Sequence, residues 1–312
     1  MSRIAYFGPQ GTFTEQAART FVEESTPGIG AAPEMVPLDT VPDVLDAVRV
    51  GGADAGCVPV ENSVEGAVPA TMDSLVEGEP LIAVGEAVLA VRFSVLVRPG
   101  SDSASIATVA SHPHALAQVR GWLAEHLPRA SAVATTSTAA AAVAVRDGQF
   151  DAAVTAPVAA THYPLQVLAT DVADVRDAMT RFLLLRRPPH LSEPTGADRT
   201  SAVLVVADRP GELAMVLTEF ALRGINLSRI ESRPLKGRLG AYRFYLDFDG
   251  HVTEPRVGDA LAALHRRSTR VRFLGSYPRA DRTVSPAAPN TDAADYAEAA
   301  EWLARVRAGG PG

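Results

Sequence analysis

Short apolar runs alternate with stretches of helical periodicity, and that alternation constrains this chain more than any other feature. Residues 4–7 and 55–60 have the length and apolar content of strands, while 14–24, 43–50 and 71–77 carry helical spacing. Thr12 and Glu15 stand three apart, the spacing of a capping box at the start of the first helix. Strand, helix, strand, helix predicts an α/β domain with a largely parallel sheet. A second set follows, with strand-like runs at 108–110, 132–135 and 152–155 and helical runs at 115–126, 139–147 and 158–161. Two longer apolar runs, 87–97 and 181–187, bracket it. The pattern predicts two sublobes joined by two crossing strands, with a cleft between them.

The character changes after residue 187. Residues 188–196, with Pro188, Pro189, Pro194 and Gly196, read as a linker. Beyond it, strand patterns at 200–206, 227–232, 242–248 and 271–276 interleave with helical patterns at 211–223 and 255–267. That order, βαββαβ, predicts a ferredoxin-like domain. The expected boundaries are 3–187, a linker at 188–198, a second domain at 199–278 and a tail at 279–312 with one terminal helix near 296–307.

Composition narrows the class. A chain of 312 residues with 47% apolar content is long enough for about two cored domains. The net charge of −7 argues against a general nucleic-acid binder. Cys57 is the only cysteine, so an internal disulfide is impossible and a reducing compartment fits. Residues 1–8 lead straight into a strand-like run without a signal-peptide core, and no run approaches the roughly 18 apolar residues of a membrane span. The expectation is a cytoplasmic protein that does not enter the membrane, with Cys57 a small core residue.

Four polar turns follow strand-like runs and precede helices: Gly8-Pro9-Gln10-Gly11-Thr12, Glu61-Asn62-Ser63, Ser111-His112-Pro113-His114 and Thr135-Thr136-Ser137-Thr138. In open α/β sheets such turns gather beyond the carboxyl ends of the strands, where ligands bind. Their hydroxyls and amides suit a small, anionic, oxygen-rich ligand. Each turn alone also reads as a tight turn or an N-cap. Thr180-Arg181-Phe182 opens the run that re-enters the first sublobe, where a guanidinium is able to grip a carboxylate at two points or simply start a strand. The spacing fits neither a dinucleotide fingerprint nor a P-loop, and His112 and His114 lack a neighbouring metal-ligand partner.

In order and spacing these blocks resemble prephenate dehydratases. The resemblance rests on Gly8 to Thr14, Val58 to Gly66, Ser111 to Gln118, Thr136 to Ala140 and, most specifically, Glu61-Asn62-Ser63 and Thr180-Arg181-Phe182. It continues into an ACT-like domain through Pro210-Gly211-Glu212-Leu213 and Glu231-Ser232-Arg233-Pro234. His114 stands where the family usually has Gln, Ala178 where Asn is common, and Glu212 where the effector motif usually has Ala.

The resemblance implies a two-lobed, periplasmic-binding-protein-like catalytic domain followed by the ferredoxin-like ACT domain. It implies decarboxylative dehydration of prephenate to phenylpyruvate, a hydro-lyase step in phenylalanine synthesis. Aromatisation drives that step, so no cofactor and no metal are expected. Thr180 and Arg181 are the implied catalytic pair, with Asn62, Ser63, Ser111, Thr136 and Ser137 binding substrate. Gly211, Leu213, Glu231, Ser232 and Arg233 would hold phenylalanine or another aromatic amino acid as effector. A homodimer or homotetramer is expected. Arogenate is the alternative substrate, and a non-catalytic ligand sensor is the alternative class.

Overall fold

The computed structural model describes residues 2–175, 177–235, 241–285 and 288–310. Backbone contacts divide the chain into two units. The first holds the residues up to Ser74 together with Ala87–Leu185, and the second holds Leu75–Glu86 with the chain from Arg186 onward.

The first sheet opens with β1 (Arg3–Phe7), α1 (Phe13–Glu23), β2 (Glu34–Leu38), α2 (Val41–Arg49) and β3 (Ala55–Asn62). The two-residue β4 (Gly66–Ala67), α3 (Pro69–Val76) and β5 (Ile82–Ala90) follow. Thr12 caps α1 by accepting the Glu15 N–H at 3.3 Å, but the Glu15 carboxylate bonds the Gly11 N–H instead of closing the reciprocal half of the capping box. Ala17, Ala18 and Phe21 bury the inner face of α1. The chain then builds a second sheet: β6 (Ser94–Val97), β7 (Thr108–Ser111), α4 (Pro113–Gln118), α5 (Arg120–His126), β8 (Ser131–Ala134), α6 (Thr138–Arg146), β9 (Ala152–Thr155), α7 (Ala159–His162) and β10 (Gln166–Ala169). It returns to the first sheet as β11 (Met179–Arg186).

Strand order is β2-β1-β3-β11-β5 in the first sheet, with β4 beside β3, and β10-β6-β9-β7-β8 in the second. Neither sheet is as parallel as the sequence suggests. β1 runs parallel to β2 and β3, and β7 parallel to β8 and β9. The crossing strands run the other way: β11 is antiparallel to β3, and β6 to β9 and β10. A strand that arrives from the other lobe enters its sheet from the opposite end. The apolar run 87–97 is accordingly two strands. Its break is held by the returning segment, with Val91 N–H on Ala178 O at 2.7 Å and Val172 N–H on Phe93 O at 3.1 Å.

The helical run 115–126 also divides. Val119 separates α4 from α5, and the Asp174 carboxylate accepts the Gly121 and Trp122 N–H groups at 2.8 and 3.0 Å, capping α5 from a distant part of the chain. Strand β2 escaped prediction because Pro37 interrupts its pattern. Proline is tolerated there because β2 is an edge strand.

The second unit contains β12 (Asp198–Val205), α8 (Glu212–Ala221), β13 (Leu227–Pro234), β14 (Tyr242–Asp249), α9 (Pro255–Arg267) and β15 (Arg270–Pro278). Its antiparallel order, β13-β14-β12-β15, is the ferredoxin-like arrangement expected. Val216 and Phe220 of α8 and Val257, Ala260 and Leu264 of α9 pack on Ala202, Leu204, Leu246 and Phe248. Each fully buried large side chain in this layer contributes about 1.5–3 kcal/mol. A terminal helix, α10 (Ala293–Arg307), carries a complete capping box at Asp292 and Asp295 and lies against α9. Among the described residues, no helix is long and apolar enough to cross a membrane.

Within this unit, the stretch 75–86 lies close on β15. Arg272 donates to the Val76 and Gly78 carbonyls at 2.6 and 3.0 Å. Gly275 has a φ of +136°, and a Cβ there would collide with the Ala83 carbonyl oxygen and stand 2.9 Å from the Ala83 nitrogen. Backbone meets backbone, so nothing flexible gives way. Gly275→Ala should therefore destabilise the protein by about 2–4 kcal/mol, combining the disfavoured φ with the clash. The measurement is a chemical-denaturation midpoint, and an unchanged midpoint contradicts the close approach.

Candidate active site

The polar turns converge. A cleft of about 340 Å³ in the first unit is walled by Gly8, Thr12, Asn62 and Thr180 from the first sheet's lobe and by His112, Gln118, Thr136 and Ser137 from the second. Its floor is apolar, with Phe13, Val91, Phe93 and Phe182. Phe13 meets Phe93 edge-on at 5.7 Å, joining the two lobes below the polar rim. The walls lie beyond the carboxyl ends of β1, β3, β7 and β8, where the strand arrangement leaves room for a ligand.

The most constrained contact in the cleft joins Asn62 to Thr180. The register of β3 against β11 sets these residues opposite one another, and Asn62 Nδ2 donates to Thr180 Oγ1 at 2.8 Å. The amide has a single sensible orientation, since Asn62 Oδ1 accepts the Val64 and Glu65 N–H groups at 2.8 and 3.1 Å. Thr180 Oγ1 is thus an acceptor toward Asn62, and its own proton remains available to a ligand.

The other expected site residues divide. Thr136 lines the cleft, and so does Ser137, which also caps α6 by accepting the Ala140 N–H at 3.0 Å. Ser111 does not reach it: the side chain is wholly buried and donates to the Val154 carbonyl at 2.5 Å. Ser63 is exposed at the rim, where its hydroxyl accepts the Met179 N–H at 2.9 Å and its own N–H bonds Met179 O. Arg181 is not among the cleft-lining residues either. Successive side chains of a strand point to opposite faces. Thr180 and Phe182 take the cleft side, while Arg181 is buried beside Glu61, with Nη1 3.6 Å from Oε2. Phe182 is buried beneath the cleft.

Gln118, His112 and His114 are among the cleft residues that fell outside the expected binding set. Gln118 is buried with its Oε1 lacking a hydrogen-bond partner among the described residues. His112 Nδ1 accepts the His114 N–H at 3.3 Å, which leaves the ring proton on Nε2. Burial, reinforced by the neighbouring His114, pulls His112 below the usual imidazole value, so it is a neutral donor at pH 7. All three belong to the Ser111–Gln118 block, with His112 at the N-cap of α4 and His114 and Gln118 four apart on one face of that helix. Cys57 lies in the core, its Sγ 3.7 Å from the Thr14 carbonyl, and burial pushes its thiol far above the usual range. Among the described residues, no group of three or more His, Cys, Asp or Glu is placed to hold a metal.

In the second unit, Gly211 stands at the start of α8 with a φ of +85°, followed by Glu212 and Leu213. Glu231, Ser232 and Arg233 lie on the edge strand β13, opposite Tyr245, Phe244 and Arg243.

Comparison with known proteins agrees with this architecture. The family model for prephenate dehydratase matches residues 4–190, and that for the ACT domain matches 200–266. A prephenate dehydratase of Amycolatopsis methanolica is 65% identical over 313 residues, covering 99% of each chain. The crystal structure of the Arthrobacter aurescens prephenate dehydratase in complex with L-Phe superposes with a TM-score of 0.89 at 46% identity, covering 97% of this chain and 99% of that one. A protein described as a novel type of quorum-quenching acylase superposes at 0.77 with 33% identity, covering 92% and 98%. A family model spanning more than half the chain and a full-length relative at this identity place the protein in the prephenate dehydratase family.

Proposed function

We propose that this chain converts prephenate to phenylpyruvate in the cleft and that phenylalanine regulates it through the C-terminal domain. The observation that carries the catalytic part is the Asn62–Thr180 hydrogen bond. Prephenate loses, as carbon dioxide, the carboxylate on the ring carbon that also bears its side chain, and its ring hydroxyl leaves as hydroxide, so that the ring becomes aromatic. The difficult event is departure of hydroxide. Thr180, with its oxygen held by Asn62 and its proton free, supplies a fixed donor toward that oxygen. An unperturbed alcohol is a weak acid, so its contribution is positioning and stabilisation of developing charge. Thr136, Ser137 and neutral His112 offer donors to the carboxylates from the opposite wall. Arg181 braces β3 through Glu61 in this reading and does not grip the substrate.

We assign residues 3–187 to the catalytic domain, 188–198 to the linker, 199–278 to the ACT domain and 279–312 to the tail, supported by the family-model ranges. The L-Phe complex of the Arthrobacter relative supports phenylalanine as effector. Exposed Met215 and Leu217 on α8, Leu222 at its C-cap and Ile230 on β13 support a homodimer or homotetramer assembled through this domain. The single buried thiol is consistent with a cytoplasmic enzyme.

Thr180→Ala should lower kcat for phenylpyruvate formation by at least about 100-fold, because one fixed transition-state donor is worth about that much. Asn62→Ala frees the same hydroxyl and should cost about 10–100-fold in kcat/KM. Spectroscopic assay of phenylpyruvate decides both, with arogenate run in parallel. Near-wild-type kcat in Thr180→Ala overturns the assignment, and tight binding without turnover in the wild type marks a sensor.

Phenylalanine should change kcat/KM of the full chain. Gly211→Asp adds a carboxylate where the effector carboxylate is expected, at a backbone conformation that Asp tolerates. Phenylalanine affinity should fall at least about tenfold while turnover without it stays within about twofold. Calorimetry and kinetics read the two effects, and an unaltered phenylalanine response refutes this effector site.

A further inference from the structure

The turn that gives Gly8 and Thr12 to the cleft is held from behind by side chains of both lobes. Glu15, in the first turn of α1, is wholly buried. A carboxylate in such a place is costly unless it is bonded on several sides. Its Oε2 accepts the Gly11 N–H at 2.6 Å, and its Oε1 accepts Nε and Nη2 of Arg19 at 2.9 and 2.6 Å. Those partners belong to the first lobe.

The next neighbours belong to the second. His162 Nε2, at the end of α7, stands 3.1 Å from Glu15 Oε1. It lies off the hydrogen-bond axis and has no aligned partner among the described residues, so the contact is one of proximity rather than a directed bond. Tyr163, the following residue, donates its hydroxyl to the Gln10 carbonyl at 2.8 Å. Burial raises Tyr163 above the ordinary phenol value, against the opposing charge of Arg146 over its ring and with a smaller addition from Glu15, so the hydroxyl keeps its proton and stays a donor. The buried Tyr6 phenol is raised by burial first and then by the Glu15 charge. Gly11 has a φ of +88°, and a Cβ there would lie 3.2 Å from both Ala159 and the Tyr163 ring. The back of the turn therefore rests directly on α7 and the residue after it.

Neither Glu15 nor Tyr163 lines the cleft. The residues they bond, Gly11 and Gln10, lie between Gly8 and Thr12, which do line it. We propose that Glu15 and Tyr163 are positioning residues for the prephenate reaction, clamping the 8–12 turn of one lobe to α7 of the other and so setting the separation of the two cleft walls. The proposal rests on the prephenate reading above. A ligand that bridges Thr180 and Asn62 on one wall and Thr136 and Ser137 on the other is bound only while that separation is kept. Loosening the clamp weakens ground state and transition state alike, and the loss appears in KM with kcat preserved. A folding defect leaves the opposite signature, because a smaller active fraction lowers apparent kcat at constant KM.

The experiment is steady-state kinetics of the full-length protein with prephenate, with melting temperatures measured alongside. Tyr163→Phe removes one hydroxyl and nothing else, and should raise KM about three- to tenfold with kcat within about twofold, the fold-change expected of one neutral hydrogen bond. Glu15→Gln keeps an acceptor for the Gly11 N–H but loses the charge, and Glu15→Ala loses both. KM should rise in the order wild type, Glu15→Gln, Glu15→Ala, so that the conservative variant partly rescues the truncation. The double variant Tyr163→Phe/Glu15→Gln should raise KM by less than the product of the single effects, since both act on one turn. If Glu15→Ala does not fold, Tyr163→Phe, Glu15→Gln and their combination still decide. Unchanged KM in both of these single variants overturns the clamp, as does a fall in kcat at constant KM with a lowered melting temperature. No prephenate turnover by the wild type overturns the functional reading and the clamp with it, whereas wild-type turnover with unmoved variants overturns the clamp alone.

Discussion

The pairing of β3 with β11 is the constraint from which the cleft follows. Two segments 118 residues apart in sequence lie side by side, and the antiparallel register sets Asn62 against Thr180. Strand backbones are stiff, so the hydroxyl is held far more closely than a loop would hold it. The same register decides the fate of neighbouring side chains. Thr180 and Phe182 face the cleft, while Arg181 is carried to the other side and meets Glu61. The bulge between Arg181 and Phe182 sits where pairing resumes its regular course.

That pairing exists because the chain leaves the first sheet and comes back. The outgoing segment around 91–93 and the incoming one around 172–178 hydrogen-bond one another, so the two lobes share a double crossing. A double crossing permits the lobes to be separate cores while limiting their relative motion. The Phe13–Phe93 contact and the cluster around Glu15 add side-chain ties on either side of it. The cleft is thus a gap between two cores whose spacing is set by a few named contacts.

Regulation requires a second site whose occupancy favours one arrangement of the whole. The effector site proposed for the ferredoxin-like domain rests on the left-handed Gly211 ahead of α8 and the edge strand β13. The grouping of residues 75–86 with the second unit has a physical counterpart inside that unit. Arg272 and the glycine at 275 hold this stretch by its backbone, which is independent of side-chain identity in the stretch itself. Residue 76 also ends α3, whose first residue, Pro69, lines the cleft.

The amino-acid sequence by itself determined the βαββαβ domain, the alternation of strands and helices before it, and the four polar turns that reach the cleft region. It did so because helical and strand periodicities are local, and because turn residues reveal themselves by type. Thr136, Ser137, Asn62 and Thr180 were legible for the same reason, each lying at the end of a recognisable element. Tertiary structure alone decided the rest. The carboxylate of Asp174 caps α5 where it parts from α4, and the edge position of β2 makes Pro37 acceptable in it. Pairing across the sheet turns Arg181 away from the cleft, and an internal carbonyl takes the hydroxyl of Ser111. In each of these cases the deciding partner lies far along the chain, and a residue's local pattern carries no record of which distant group will satisfy it.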